Sequence, residues 1–347
     1  MTYISPYHGL NNDNVLRLAT NENSHELCMN LVSDLQKKLP YVNRYPNVIN
    51  DILQENIAKK HFVDKENIII GSGSDELIVL AAMLYIERGN NALMCSPSFF
   101  RYAQVTKLMH GECKMFKCIN YKYNLNGLLD NIDPFTRIIF ICNPNNPIGT
   151  FIKTMEIEQF LARVPNNILV IVDEAYFDFV FPKTHSASVL INKYHNLLVL
   201  RTFSKFYALA GLRIGFGISN KDVIAKFVAA RSQYSVNAIA QEAALAVLNL
   251  PDEYFDNYYK EIVEEREYLY LQLDSLSVHY YQSQANFIFV NFGGKCKEII
   301  DGLRHGGVIV RPCAMFNCPT FARITIGTHS ENEKVIYILS KLLNKLI

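Results

Sequence analysis

The chain has almost no excess of charge of either sign. Its 34 basic and 33 acidic residues leave a net charge of +1, too little for an extended field that would attract nucleic acid or an anionic membrane surface. It also lacks an apolar run long enough to span a bilayer, and its first residues lack the basic start and apolar core of a signal peptide. We therefore expect small molecules as its ligands.

The eight cysteines lack the spacing that metal sites require. Two pairs, Cys113 with Cys118 and Cys313 with Cys318, have four residues between their members, but neither pair has a Cys-x-x-Cys spacing or a nearby pair of histidines. We expect no structural metal. Scattered cysteines in apolar runs are typical of reduced thiols, which predicts a cytoplasmic protein.

Short apolar runs alternate with helical patterns between about residues 65 and 220. This alternation predicts an α/β fold with a seven-stranded, mostly parallel sheet covered by helices, such as those predicted at 75–87 and 153–162. The predicted strands are 67–70, 92–95, 113–118, 137–142, 168–172, 197–200 and 214–218.

The pattern changes near residue 250. Residues 221–250 predict one or two long helices, and Pro251 marks a break before another helix at 253–273. Beyond them, strands predicted at 285–290, 307–310 and 322–326 indicate a smaller α+β unit. We therefore predict an N-terminal arm (1–29), a large domain (30–249) and a small C-terminal domain (250–347).

Polar residues follow four of the seven predicted strands. Because ligands of open parallel sheets bind beyond the carboxyl ends of the strands, these segments predict one shared site. The four are Gly71-Ser-Gly-Ser-Asp-Glu76, Asn143-Pro-Asn-Asn-Pro-Ile-Gly149, Asp173-Glu-Ala-Tyr176 and the segment from Arg201 to Phe216.

The first segment favours an anion site at a helix start, where free N–H groups and the helix dipole attract phosphate. A plain turn capped by Ser74 is the alternative. A dinucleotide-binding fingerprint is excluded because Glu76 occupies the third glycine position, and the chain has no Gly-x-x-x-x-Gly-Lys-Ser/Thr motif. The segment 145–149 is by composition a turn.

Lys205 stands just past an apolar strand, with Thr202 and Ser204 before it and Arg213 after it. Burial and neighbouring cations lower the pKa of such a lysine and leave a neutral amine that can form a Schiff base. Asp173, straight after five apolar residues, needs a cationic or hydrogen-bonding partner. A protonated pyridine nitrogen is such a partner, which predicts pyridoxal phosphate as cofactor.

Two other interpretations of Lys205 stay open at this point. It could be a solvated surface lysine. It could also belong to a Ser/Thr-x-x-Lys acyl-transfer site with Thr202 as nucleophile, but that site would leave Asp173 without a role.

Taken in order, the motifs resemble those of the fold type I pyridoxal-phosphate aminotransferases, and among them the histidinol-phosphate aminotransferase branch. The resemblance covers nearly the whole chain, and the ordered set is far more specific than any single motif. Besides the lysine segment, it rests on Leu18-Ala-Thr-Asn-Glu-Asn23, Arg44-Tyr-Pro46, Gly73-Ser-Asp-Glu76, Asn143-Pro-Asn-Asn-Pro147, Asp173-Glu-Ala-Tyr176, Gly307-Val-Ile-Val-Arg-Pro312 and Arg323-Ile-Thr-Ile-Gly-Thr328.

The resemblance implies a role for each cofactor residue. Lys205 would form the Schiff base and move a proton between substrate and cofactor, while Asp173 would pair with the pyridine nitrogen. Asn146 and Tyr176 would hydrogen-bond the ring hydroxyl, and Tyr102 would stack on the ring; for Tyr102 a core position is the alternative. The cofactor phosphate would be bound by Ser74, Asp75, Thr202, Ser204 and Arg213.

The resemblance also implies the substrate residues. Arg323 would bind the substrate α-carboxylate, and Arg311 the distal phosphate or second carboxylate, with Asn21 on the substrate side. Tyr45 would reach the cofactor phosphate of the other subunit, which implies a homodimer with its active site at the interface. The chain departs from the family at Ser24-His-Glu26, where many members have proline, an aromatic residue and glycine.

The leading hypothesis is amino transfer from histidinol phosphate to 2-oxoglutarate in histidine biosynthesis. A lyase related to threonine-phosphate decarboxylase is an alternative, because Lys205-Phe-Tyr-Ala208 and Ser235-Val-Asn-Ala238 also resemble that family. An aminotransferase for another amino acid, aromatic or specialised, is a further alternative. A non-catalytic ligand sensor with this fold is disfavoured by the intact Lys205.

Overall fold

The structure is a computed structural model that describes residues 15–48 and 50–346. The first fourteen residues of the predicted arm, with the segment tested for a signal peptide, lie outside the described residues. The strands are β1 (Leu16–Leu18), β2 (Ile68–Gly71), β3 (Asn91–Ser96), β4 (Glu112–Lys117), β5 (Thr136–Cys142), β6 (Leu169–Asp173), β7 (Leu197–Thr202), β8 (Gly215–Ser219), β9 (His279–Tyr281), β10 (Phe287–Asn291), β11 (Val308–Pro312) and β12 (Phe321–Thr325).

Helices cover the sheets and connect the strands. They are α1 (Met29–Lys38), α2 (Asp51–His61), α3 (Gly73–Tyr85), α4 (Arg101–Leu108), α5 (Leu125–Leu129), α6 (Thr154–Leu161), α7 (Lys221–Ala230), α8 (Ala238–Leu248), α9 (Asp252–Ser275), α10 (Cys296–His305) and α11 (His329–Leu346). None of the helices within the described ranges is both long and apolar enough to cross a membrane.

The larger sheet has seven strands in the order β2-β8-β7-β6-β5-β3-β4. Strand β8 runs antiparallel to both of its neighbours, and the other pairs are parallel. Strands β6 and β7 are buried along their whole length, as expected for parallel strands covered on both faces. The predicted seven-stranded, mostly parallel sheet is confirmed.

The carboxyl ends of the parallel strands bring the polar segments together. Strand β6 ends at Asp173 and β7 at Thr202, and in the pairing of β6 with β5 Asp173 lies opposite Cys142. The polar segment that follows each of these apolar strands therefore lies at the same edge of the sheet.

A second, five-stranded sheet has the order β1-β11-β12-β10-β9. Its edge strand β1 comes from the N-terminal segment and pairs in parallel with β11, while the other pairs are antiparallel. The segment predicted as an arm thus adds a strand to the C-terminal sheet, which the sequence did not predict. The three-domain division remains a prediction.

Candidate active site

One cavity of about 770 Å³ opens at the carboxyl edge of the seven-stranded sheet. The C-terminal sheet closes its other side through β11 and β12. The predicted residues that line it are Ser74, Asp75, Asn146, Asp173, Tyr176, Thr202, Ser204, Lys205, Arg213, Arg311 and Arg323. Three predicted residues, Asn21, Tyr45 and Tyr102, do not line this cavity.

Lys205 lines the cavity. Its ammonium Nζ donates to the backbone carbonyl of Thr20 at 2.7 Å. Burial, with a smaller contribution from the positive charge of Arg323, lowers the pKa of Lys205 to about 7. A neutral amine is therefore present near neutral pH, as covalent amine chemistry requires.

The lowered pKa of Lys205 predicts a pH-dependent stability of the cofactor-free protein. Between pH about 7 and 10.5 the unfolded chain binds more protons at this lysine than the folded chain, so the free energy of unfolding rises with pH. Lys205→Met should be more stable than the wild type at pH 7, and the difference should close by pH 10.5. Urea unfolding of both proteins measures it; a pH-independent difference would contradict the assigned shift.

Asp173 is buried at the end of β6 and lines the cavity. Its Oδ2 accepts from the Tyr102 hydroxyl at 2.7 Å, and its Oδ1 accepts from the Ala175 backbone N–H at 3.1 Å. Burial raises the pKa of Asp173 to about 6, and the Tyr102 hydrogen bond opposes that shift. Neither hydrogen-bond partner carries a charge, so the buried carboxyl suits a cationic ring nitrogen.

Tyr102 does not have the predicted stacking role. Its ring is fully buried and stacks on Phe140 with a centroid distance of 4.6 Å and an interplanar angle of 9°. Helix α4 begins at Arg101, which turns the Tyr102 side chain inward toward Asp173 instead of toward the cavity. Phe99 and Phe100, which precede it in the same segment, line the cavity instead. The prediction chose the wrong aromatic residue of this segment.

Tyr102→Phe should raise the pKa of Asp173 above about 6, because the lost hydroxyl stabilises the ionised carboxylate. Carbon-13 NMR of the carboxyl carbon in the cofactor-free protein measures this shift. Tyr123→Phe is the matched control, since its buried hydroxyl donates to the Phe140 carbonyl at 2.7 Å. Equal shifts in both variants would mean that Tyr102 acts only on packing.

A candidate anion site lies where α3 begins. Gly73 has a φ of +74°, and a Cβ added there would stand 2.7 Å from Nη2 of Arg213, so the guanidinium lies directly against this turn. Arg213 Nη1 donates to the Ser204 hydroxyl at 3.4 Å, and the Thr202 hydroxyl donates to the same oxygen at 2.9 Å. Helix N–H groups, two hydroxyls and a guanidinium together bind phosphate well.

Asp75 stands in the first turn of the same helix, and its Oδ1 accepts from Arg101 Nε at 2.8 Å. This ion pair offsets the negative charge that would otherwise repel a phosphate. Contact with an anion at this position would therefore come from the N–H groups of the helix start.

Two buried arginines of the C-terminal sheet also line the cavity. Arg311 of β11 and Arg323 of β12 lie opposite each other in the sheet and are 6% and 4% exposed. Both bind the Ala19 carbonyl, through Arg311 Nε at 3.2 Å and Arg323 Nη2 at 2.7 Å, and Arg323 Nη1 also donates to Asn146 Oδ1. Adjacent buried guanidinium groups favour a carboxylate or phosphate ligand.

Comparison with known proteins identifies the family of the chain. The model of class I and II aminotransferases matches residues 13–339. A histidinol-phosphate aminotransferase of Geobacillus sp. (strain WCH70) is 34% identical over 95% of this chain and 91% of its own length. One of Moorella thermoacetica is 37% identical over 95% of this chain and 86% of its own.

The chain belongs to the class I and II aminotransferase family. Its relatives put it in the histidinol-phosphate aminotransferase branch, which makes it a pyridoxal-phosphate-dependent enzyme. The histidinol-phosphate aminotransferase of Sinorhizobium meliloti, solved with pyridoxal-5'-phosphate, superposes with a TM-score of 0.89 at 22% identity, covering 96% of this chain and 92% of its own. This likeness confirms the predicted fold type I.

Asn21 lies behind the cavity and not on its substrate side as the resemblance implied, while Tyr45 does not line the cavity of its own chain and its contact with the other subunit's cofactor stays a prediction. Asn21 is fully buried behind Tyr176, and its side-chain amide donates to the Tyr176 hydroxyl at 2.9 Å, so within this structure it contacts a cavity residue and not the cavity. Tyr45 is 82% exposed and stacks on Tyr234 with a centroid distance of 4.5 Å. It faces away from the aminotransferase cavity of its own chain.

The prediction missed a buried ion cluster beneath the aminotransferase cavity. Arg201 donates to Glu174 at 3.1 Å and to Asp178 at 2.6 Å, and the Ser186 hydroxyl donates to Glu174 at 2.6 Å. The available signal was a charged residue directly after Asp173 and another on the neighbouring strand β7. This cluster fixes the turn that carries Asp173 and Tyr176.

Proposed function

We propose that this aminotransferase moves the amino group of histidinol phosphate to 2-oxoglutarate in histidine biosynthesis. The proposal is carried by its similarity, along 95% of the chain, to relatives that bear this activity in their names. A cavity lined by an amine, by a candidate anion site at a helix start and by two arginines supports it, since both the cofactor and the substrates carry anionic groups.

The residues of the cavity fit pyridoxal phosphate. When bound, this group supplies an electron sink that makes the substrate α-hydrogen acidic. Asp173, whose burial calls for a cation, would hold the pyridine nitrogen, and Asn146 and Tyr176 would donate to the ring oxygen. Phe99 would cover the ring. The phosphate group would be held by the helix start at Ser74 and Asp75 and by Thr202, Ser204 and Arg213.

Lys205 would take the proton from the substrate α-carbon and give it to the aldehyde carbon of the cofactor. Its pKa of about 7 suits both steps near neutral pH, because the amine then gains and loses a proton at little cost. The Thr20 carbonyl would keep Nζ inside the cavity between the two steps.

The two arginines would bind different anionic groups of the substrates. Arg323 would bind the α-carboxylate of glutamate or 2-oxoglutarate. Arg311 would bind the distal group, which is a phosphate in one substrate and a second carboxylate in the other. Histidinol phosphate has a phosphorylated hydroxymethyl group (CH2–O–phosphate) in place of the α-carboxylate, so the Arg323 end must accept both this group and a carboxylate.

A half-reaction screen tests the reaction. Histidinol phosphate should convert the bound cofactor to its amine form, and the absorbance of the cofactor measures this conversion. Adding 2-oxoglutarate should then restore the starting spectrum, with all carboxylates retained. Carbon dioxide released from a phosphorylated amino acid, without the spectral change, would contradict transfer and favour the lyase. A response to aromatic amino donors alone would overturn histidinol phosphate as the substrate.

A homodimer with shared active sites is the second part of the proposal. The segment around α1 exposes large apolar side chains that a monomer would leave in water. They are Met29, Leu39, Tyr41, Val42 and Tyr45. A partner that covers this segment would bring Tyr45 toward the cofactor phosphate of the other subunit.

Tyr45→Ala should therefore weaken cofactor binding by about tenfold, the effect of losing one hydrogen bond to a charged group. Titration of the cofactor-free enzyme measures the dissociation constant, and sedimentation measures the assembly. Tyr337→Ala is the control, because this tyrosine is also exposed but lies on α11. A monomeric wild type, or equal effects of both variants, would contradict the shared site.

The proposed location is the cytoplasm. All eight cysteines carry free thiols in the structure, including five that are buried. Burial raises the pKa of the Cys142 thiol beside the site to about 12, which keeps it protonated and unreactive. Reduced thiols are typical of cytosolic proteins.

A further inference from the structure

Asn21 is tied to three distant parts of the chain although it does not line the cavity. Its backbone N–H donates to the Thr325 hydroxyl at 3.1 Å, and its backbone carbonyl accepts from the Asn286 side chain at 3.2 Å. Its side-chain amide donates to Tyr176 at 2.9 Å, and its Oδ1 accepts from the Thr325 hydroxyl at 3.2 Å. Asn21 also has a left-handed φ of 55°. Such a conformation is held by its surroundings.

The Thr325 hydroxyl decides which way the Asn21 amide points. Thr325 is fully buried, and its oxygen already accepts a proton from the Asn21 backbone. Its own proton therefore needs an acceptor, which is Asn21 Oδ1. A flipped amide would leave the Thr325 proton buried without an acceptor among the described residues, at a cost that a folded protein avoids.

The orientation of the amide in turn decides the role of the Tyr176 hydroxyl. Because Nδ2 of Asn21 donates to it, the Tyr176 oxygen is an acceptor on the buried side. Within the described ranges no group accepts the proton of Tyr176, and Tyr176 lines the cavity. The Tyr176 hydroxyl can therefore donate a hydrogen bond to a ligand in the cavity.

We propose that Asn21 is a positioning residue that, oriented by Thr325, fixes Tyr176 as a hydrogen-bond donor to the ring oxygen of the cofactor. The inference deepens the proposed function and rests on its cofactor site. It gives β12 of the C-terminal sheet a part in cofactor chemistry through a residue that never touches the cofactor. With acceptor and donor exchanged, Tyr176 would donate to Asn21 and its oxygen would face the ring oxygen as a second acceptor.

Asn21→Asp is the sharpest test, because a carboxylate of the same shape cannot donate to Tyr176. The readout is the apparent pKa of the absorbance of the lysine-bound cofactor in a pH titration. A ring oxygen that has lost its hydrogen-bond donor becomes more basic. The proton that it shares with the nitrogen of the lysine linkage is therefore retained to higher pH. Asn21→Asp should raise this apparent pKa by about one unit, as Tyr176→Phe should.

The double variant separates positioning from general damage. In the Tyr176→Phe background Asn21→Asp should cause no further shift, since the hydroxyl that it acts on is gone. Thr325→Val should shift the value in the same direction by less, because it frees the amide to flip, and Thr325→Ser should keep the wild-type value. An additive shift in the double variant, or an unshifted Asn21→Asp, would overturn the proposal.

A second readout does not need the cofactor. With 3-fluorotyrosine in place of Tyr176 in the cofactor-free protein, fluorine NMR follows the titration of this phenol. Asn21→Asp should raise that pKa, because it removes a donor and adds negative charge; an unchanged value would overturn the proposal. Failure of the cofactor assignment would instead appear as a wild type without the lysine-linked absorbance band.

Discussion

Lys205→Ala is expected to lose the borohydride-reducible cofactor adduct and nearly all turnover. Lys205 is the lysine of the cavity, and its burial lowers its pKa to about 7, so it is the amine that is neutral at working pH. Loss of both the covalent attachment and the proton carrier should lower kcat by at least about a thousandfold. Mass spectrometry after borohydride reduction measures the adduct.

The control for this experiment is Lys193→Ala. The Lys193 side chain is 64% exposed and pairs with Glu158, and Lys193 precedes the amino end of β7 and does not line the cavity, so its removal should leave adduct and turnover unchanged. Partial recovery of Lys205→Ala by a small primary amine would support a role in proton transfer, since the amine would fill the same position. An adduct on another lysine in the wild type would refute the assignment.

The site could be predicted where its residues follow strands that the sequence marks clearly. Strand β6 has the sequence Leu-Val-Ile-Val-Asp, and its apolar run identifies both a buried strand and the buried carboxylate of Asp173 at its end. Parallel strands place all such ends on one edge, so Thr202 and Asn146 could be assigned to the same cavity without any knowledge of contacts.

Residues whose positions depend on distant partners could not be predicted in the same way. Strand β1 has only three residues, and its partner β11 lies almost 300 positions away, so no local pattern indicates it. Asn21 has the same problem, because its partners Tyr176 and Thr325 are 155 and 304 positions away.

The error at Tyr102 has a local cause. Phe99, Phe100 and Tyr102 lie within one turn of each other, and any of them could cover a ring. The start of α4 at Arg101 decides which side chain faces the cavity, and helix ends are the least certain part of a sequence-based prediction.

Arg323→Ala is expected to weaken every substrate that carries an α-carboxylate. The guanidinium is 4% exposed and is held by Asn146 Oδ1 and the Ala19 carbonyl, so its charge lies where water screens it little. Removing such a partner costs about 2 to 5 kcal/mol, which corresponds to about 30-fold to several thousandfold in affinity. Equilibrium binding of 2-oxoglutarate and of glutamate measures the loss.

Histidinol phosphate provides an internal comparison, because it has no α-carboxylate. If Arg323 serves the α-carboxylate and Arg311 the distal anion, Arg323→Ala should weaken 2-oxoglutarate far more than histidinol phosphate, and Arg311→Ala should weaken both. Arg323→Lys should recover only part of the loss, since an ammonium cannot bind two carboxylate oxygens side by side. Arg304→Ala, an exposed arginine on α10, is the control. Unchanged binding of the carboxylate substrates to a folded Arg323→Ala enzyme would remove Arg323 from the site.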